Sequence, residues 1–252
     1  MSALLGSVPL AAASIQDLLH ARHVYHPTAR AAPRSTRFAL DTLAGRLVQL
    51  SAPDPGDATA VLTVATRLVL EAQRAAEPVA WIGNQGVAHP RDLAENGVDL
   101  DALVLIRPGA DAGLAGVLRV ADRLLRSGAF GLVLLDLTAS GEGVRAERGS
   151  LPGERSGARN MRPLTLPLAA QTRLASLAQR HDAVLLCLTS RQGAQKRPGV
   201  PGSLGSLVSL HAVAVRLRDT GFDCEVQVLK DKRQGPGWIH REEAFVGPPG
   251  LR

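Results

Sequence analysis

The stretch Ser51-Ala-Pro-Asp-Pro-Gly56-Asp57-Ala58-Thr59 lies where an apolar run passes into a helical period. In many α/β proteins that junction holds a phosphate: backbone N–H groups at a helix start face the anion, and a lysine neutralises it. Laid on the signature G-x-x-x-x-G-K-S/T, only Gly56 survives. Ser51 stands for the first glycine, Asp57 for the lysine and Ala58 for the hydroxyl that holds Mg²⁺, with Thr59 next in the chain. Asp54 adds a second negative charge, and Pro53 and Pro55 each remove an N–H donor. An ordinary helix cap with acids near the first turn is the expectation here. Asp136 closes the apolar run Phe130–Leu135, where a metal-holding acid would stand beside such a loop. Without the loop it reads as a strand-end turn residue.

Two irregular stretches carry a different chemistry. Residues 139–163 hold Arg145, Arg148, Arg155, Arg159 and Arg162 against Glu142, Glu147 and Glu154. Residues 191–206 hold Arg191, Lys196 and Arg197 with no acid. Both follow the C-terminal ends of expected strands, where open α/β sheets place their binding sites. Arginines on glycine-rich loops suit phosphate-backbone contact with little reading of sequence; a pair of solvated surface loops is the plainer reading. The segment Gly141-Glu-Gly143-Val-Arg-Ala146 fits G-x-G-x-x-A, but no helical period starts there, so the dinucleotide reading is set aside. There is no G-x-S-x-G, H-E-x-x-H or C-x-x-C in the chain. His20, His23 and His26 share a potential helix side without a completing acid or cysteine, so no metal site is expected.

The elements that must position these residues alternate along the chain. Apolar runs at 45–50, 79–82, 102–106, 130–135 and 183–188 read as strands. Helical periods lie between them, at 57–75 (Val61, Ala65, Leu68, Ala72), near 91–96, through Leu114, Val117, Ala121 and Leu125, and at about 166–180. Residues 207–246 read as three strands with no helix between them. The expected fold is therefore α/β, a mostly parallel sheet flanked by helices with antiparallel strands at its C-terminal end. Residues 1–40 form a separate basic segment with a helix expected over 13–23, and 41–252 form the core domain.

Composition narrows the function classes. The 252 residues contain 29 Lys and Arg against 23 acids, a formal charge of +6, and 45% are apolar, enough for a real core. Aromatics make up only 3%, which argues against a nucleic-acid binder built on stacking platforms. Cys187 and Cys224 each lie in an apolar run and read as buried reduced thiols. No run approaches a membrane span, and the apolar start lacks a basic leader, so a cytoplasmic protein is expected.

At this point the residues resemble a family. The run Leu93-Ala-Glu-Asn-Gly97-Val-Asp-Leu100-Asp-Ala-Leu103-Val-Leu-Ile-Arg107-Pro108, then Leu125-Arg-Ser-Gly128-Ala129, looks like the RecA recombinase core, as does Val228-Leu-Lys-Asp-Lys-Arg-Gln-Gly-Pro-Gly-Trp238. The resemblance covers roughly 35–252. With Trp81-Ile82, Arg107-Pro108 and a shortened chain, it is most similar to the ImuA branch, RecA-like accessory proteins of mutagenic translesion synthesis in the SOS response. By position, the recombinase phosphate loop falls on the dismantled 51–59 stretch. Its catalytic glutamate falls on Gln85, an amide that cannot serve as a base. Its nucleotide-sensing pair falls near Thr189-Ser190, and its two DNA-binding loops fall on 139–163 and 191–206.

The resemblance thus implies a non-enzymatic protein with no cofactor. The partners it implies are an ImuB-like inactive Y-family polymerase and an error-prone C-family polymerase. RecA filaments, single-stranded DNA and self-association are further implied contacts. Arg22, Arg30, Arg34 and Arg37 lie where recombinases reach a neighbouring subunit, the plainer reading being a basic tail. The rival readings are an ATP-dependent DNA-binding ATPase with an unconventional site, and a protein adaptor that never touches DNA.

Overall fold

The computed structural model describes residues 37–54, 57–83, 89–138, 164–190, 203–217 and 223–242. After a one-turn helix α1 (Leu40–Leu43), the elements run β1 (Arg46–Ala52), α2 (Ala58–Arg74), β2 (Val79–Gly83), α3 (Pro90–Glu95), β3 (Leu103–Ile106) and α4 (Gly113–Ser127). They continue through β4 (Leu132–Asp136), α5 (Leu168–Arg180), β5 (Val184–Ser190), β6 (Leu210–Arg216), β7 (Cys224–Asp231) and β8 (Ile239–Glu242). The strands form one eight-stranded sheet in the order β3-β2-β4-β5-β1-β6-β7-β8. The first six in that order pair parallel, and β7 and β8 close the sheet antiparallel.

The continuous apolar runs follow from burial on both faces. Along β1, Val48, Leu50 and Ala52 pack on the side of α2 with Val61, Val64, Ala65 and Leu68. The alternate residue Leu47 packs on the side of α4 and α5 with Val117, Ala121, Leu125, Leu174 and Ala178. The helical period places those last residues on one stripe of each helix, which is why both helices lie against the same sheet face. At the edge, β3 differs: Val104 and Leu105 are exposed although they point to opposite faces, because among the described residues only β2 pairs with it.

Two glycines are required by close approach. Gly128 ends α4 in the left-handed conformation at φ 65°, its N–H donating to the Leu125 carbonyl, and a Cβ there would come within 2.7 Å of His181 Nδ1. Gly205 lies so close to the Gln171 amide that a Cβ would overlap it. Gly205→Ala is therefore expected to cost about 1–3 kcal/mol by overpacking, read as a lower urea midpoint with an unchanged slope. An unchanged midpoint would mean that the Gln171 side chain yields without loss.

The expected elements stand with small shifts. β1 runs on to Ala52, so Ser51 is a strand residue and not the first residue of a loop. The strand expected at 130–135 begins at Leu132, and the tail forms three strands as expected. The helix expected over 13–23 lies outside the described residues.

Candidate functional site

The C-terminal ends of β1, β2, β4 and β5 lie side by side in the parallel sheet, and the side chains there divide by sheet face. On the α2 side, Asp136 ends β4 directly across from Gly83 of β2. The approach is tight, since a Cβ on Gly83 would stand 3.0 Å from the Asp136 Cβ. Asp136 Oδ1 accepts from the Thr138 N–H (3.1 Å) and the Thr138 hydroxyl (2.5 Å). Burial pushes its carboxyl above the usual carboxylate range, against hydrogen bonds from Thr138 and the Trp81 side chain. Asp136 is thus the last residue of β4, bonded to Thr138 two residues on, on the sheet face that packs against α2.

Asp57 corrects an expectation. It occupies the cap position of α2 but makes no side-chain cap bond. Its Oδ1 accepts instead from the backbone N–H of Arg216 at the end of β6, at 3.1 Å, while its own N–H donates to the Asp54 carbonyl (3.0 Å). The strand-end N–H offers a donor 159 residues away in sequence, and the carboxylate takes it in preference to the helix's own first turn. A carboxylate therefore stands at the helix start, the position at which a phosphate would need positive charge. Ala58 is the first residue of α2 and Thr59 is exposed. Gly56 and Gln85 lie outside the described residues.

On the α5 side the structure gathers a polar cluster. Ser51 Oγ lies 2.8 Å from Thr189 Oγ1 and 3.1 Å from His211 Nε2. Gln49 Nε2 donates to both hydroxyls, at 3.1 Å to Ser51 and 3.3 Å to Thr189. All four side chains are buried. Burial, aided by the positive charge of Lys230, pushes the His211 imidazole down to about 4, so it is neutral at physiological pH. Thr189, aligned by resemblance with a nucleotide sensor, is thereby committed to its neighbours in the sheet. Gln49 and His211 were not singled out from the sequence. The available signal was a polar residue interrupting an otherwise apolar strand, in Arg46-Leu-Val-Gln-Leu50 and in Leu210-His-Ala-Val213.

The cluster reaches the flanks of the two arginine-bearing stretches. The Leu204 N–H donates to Gln49 Oε1 (2.8 Å), and the Leu166 N–H donates to the Leu204 carbonyl (2.8 Å). Gln171 donates to the Leu166 carbonyl (2.7 Å) and accepts from the Leu207 N–H (3.1 Å), so one buried amide holds the residues that follow both stretches. At the preceding ends, the Ser190 hydroxyl donates to the Thr138 carbonyl (3.0 Å). Arg145, Arg148, Arg155, Arg159, Arg162, Arg191, Lys196 and Arg197 themselves lie outside the described residues, as do Arg22, Arg30 and Arg34. Of the second expected stretch, 191–206, the described part 203–206 has no helix or strand, and within it Leu204 is a buried core residue. Arg37 is exposed, immediately before the buried Phe38.

Both cysteines are buried and form no disulfide, and burial pushes the Cys187 thiol up to about 12, away from the reactive thiolate. Among the described residues, no three His, Cys, Asp or Glu side chains gather as a metal site, and no helix is long and apolar enough to cross a membrane.

No family model matches the chain. It is 41% identical over 97 residues to Protein RecA of Nocardioides sp., a match covering 38% of this chain and 26% of that protein. Protein RecA of Kineococcus radiotolerans is 36% identical over 96 residues, again 38% of this chain and 26% of the relative. The matched region thus spans about a quarter of the length of these curated relatives. Among solved structures, the RadB recombinase superposes with a TM-score of 0.55 at 18% identity, covering 82% of this chain and 94% of that one. With its parallel sheet, its antiparallel C-terminal strands and its flanking helices, the chain has a RecA-like recombinase fold.

Proposed function

We propose that this chain is a non-catalytic, RecA-like accessory protein of the ImuA type, acting in damage tolerance and translesion synthesis through contacts with other macromolecules. The observation that carries the reading is Asp57. At the helix start where a RecA-like ATPase needs a lysine, this protein has a carboxylate, and that carboxylate is engaged by the Arg216 N–H. A nucleotide phosphate placed there would meet negative charge and a helix start that lacks its lysine and hydroxyl. The Gln85 amide, at the position of the catalytic base, supports the same conclusion.

On this reading the work is done by surfaces. The partners are an ImuB-like inactive Y-family polymerase, an error-prone C-family polymerase and RecA itself. Single-stranded DNA would be contacted by the arginines of 139–163 and 191–197, whose flanking residues are bonded together through Gln171 and Leu204. Arg22, Arg30, Arg34 and Arg37 would serve partner binding or self-association.

The experiment is a titration of the whole protein with a fluorescent ATP analogue, with and without Mg²⁺. No Mg²⁺-dependent binding is expected up to concentrations that saturate an intact phosphate loop. Asp57→Lys with Ala58→Thr should not lose binding and is expected to gain some, because the repulsion is removed. Tight Mg²⁺-dependent binding to the unaltered protein would overturn the reading in favour of an ATPase with an unconventional site.

A further inference from the structure

The two faces of the sheet differ in charge. On one, α2 and α3 carry Arg67, Arg74 and Arg91 against Glu71, Asp92 and Glu95, an even balance. On the other, α4 and α5 carry Arg119, Arg123, Arg126, Arg173 and Arg180 against the single acid Asp122. Much of the chain's excess of +6 is therefore matched by two neighbouring helices.

These arginines are arranged on a shared surface. Arg119, Arg123 and Arg126 follow one another at spacings of four and three residues, which puts them on one side of α4 over about 10 Å of its axis. Arg173 and Arg180, seven residues apart, share one side of α5 in the same way. Arg173 joins the helices through a two-point bond to Asp122, from Nε to Oδ1 at 2.5 Å and from Nη2 to Oδ2 at 2.6 Å. Arg126 Nε holds the same carboxylate at 2.9 Å. One carboxylate thus orients two guanidinium groups, yet their side chains remain 55% and 57% exposed. Arg119, Arg123 and Arg180 are exposed as well. Asp122 fixes the cluster in place without neutralising it.

We infer that the outer face of α4 and α5 is a binding surface for the phosphate backbone of duplex nucleic acid. Guanidinium groups bind phosphate oxygens with two parallel hydrogen bonds and need no apolar anchor. A protein partner would need such an anchor at its centre. Of the large apolar residues exposed among the described residues, only Leu168 belongs to these helices, and it sits at the very start of α5. Neither helix contains an aromatic residue, so a single strand would find no stacking platform, whereas a duplex presents its phosphates already ordered. A second copy of this chain is disfavoured on this face by its own net positive charge. The inference does not depend on the partner reading above, which concerns single-stranded DNA and other residues.

The test is fluorescence anisotropy of the full chain with a labelled random-sequence duplex of about 20 base pairs, from about 50 to 200 mM salt, the range over which phosphate contacts weaken steeply. The variant Arg119→Gln/Arg123→Gln/Arg180→Gln leaves both partners of Asp122 in place, and its thermal midpoint should match that of the unaltered protein. Loss of these three contacts should weaken binding about tenfold or more at about 100 mM salt and reduce the salt slope by roughly 2 to 3, at about 0.9 per phosphate. Arg180→Gln alone should lower the slope by about 1. Single-strand affinity should fall less than duplex affinity. Any of three outcomes overturns the inference: no duplex binding at low salt, an unchanged slope in the triple variant, or tighter binding of poly-glutamate than of duplex, which would identify an acidic protein segment as the occupant.

Discussion

Asp231→Ala is expected to destabilise the protein by about 3–5 kcal/mol, the cost of leaving a buried arginine without its counter-charge. Arg46 enters at the start of β1 with its side chain 1% exposed, and its Nη2 meets Asp231 Oδ1 at 2.6 Å. Nε and Nη2 also donate to the hydroxyl and carbonyl of Ser209. Asp231 ends β7 and accepts in addition from the Arg233 and Gln234 N–H groups and from the Trp238 indole at 3.2 Å. The pair thus ties the central strand to the turn between β7 and β8. Arg46 Nη1 already has no partner among the described residues, so removal of Asp231 leaves little to hold the guanidinium.

Urea unfolding reads the loss directly, as a lower midpoint. Replacing both members, Arg46→Met with Asp231→Leu, should recover most of the stability, since the desolvation cost disappears along with the attraction. A loss below about 1 kcal/mol in Asp231→Ala, the range of surface pairs, would show that the ion pair does not secure the tail. Its pH dependence has a definite sign. Burial alone would raise the Asp231 carboxyl, but the Arg46 hydrogen bond, the backbone N–H groups and the Arg46 charge outweigh it and hold it below the usual value of 3.8. A depressed carboxylate stabilises above its unfolded pKa, and that contribution is lost as pH falls through the folded value.

The second large effect lies in a different pH window. The folded His211 titrates at about 4 against an ordinary value of 6.5, so the unfolded chain takes up a proton that the folded chain refuses. The stability held by neutral His211 is present above about 6.5 and declines as pH falls, by roughly 1.4 kcal/mol per pH unit, until the folded imidazole itself titrates near 4. Lys230 opposes the same protonation from the neighbouring strand β7, where it pairs in register with His211. Urea midpoints at about pH 4.5, 5.5, 6.5 and 7.5 should show this slope in the unaltered protein and lack it in His211→Gln. An equal slope in the variant would assign the acid sensitivity to another group. Since the Asp231 contribution is lost only as pH falls below its ordinary value of 3.8, the two acid steps are separable.

The frame of the molecule was legible because its cause is local. The stripe Val61, Ala65, Leu68 and Ala72 specifies α2 by its own spacing, and the unbroken apolar runs at 79–82 and 183–188 are what strands buried on both faces require. Strand ends were less so. Ser51 and Thr189 look like loop residues because polar residues usually mark turns, but here they satisfy each other inside the sheet. The edge position of β3 was equally hidden, because exposure of Val104 and Leu105 depends on which strand fails to arrive beside them.

What the amino-acid order determined by itself is that Asp and Ala, and not Lys and a hydroxyl residue, stand at positions 57 and 58. A lysine or a hydroxyl is either encoded at positions 57 and 58 or it is not, and no packing can supply it. The tertiary structure alone decided what the substitutes do. Asp57 finds the Arg216 N–H, Ser51 finds His211, and Arg173 finds Asp122, partners separated by 159, 160 and 51 residues. Parallel crossovers return each strand beside another far away in the chain, and the register of pairing then decides which side chains share a face. A hydrogen bond acts over about 3 Å, so its partners are set by that register and not by distance along the sequence.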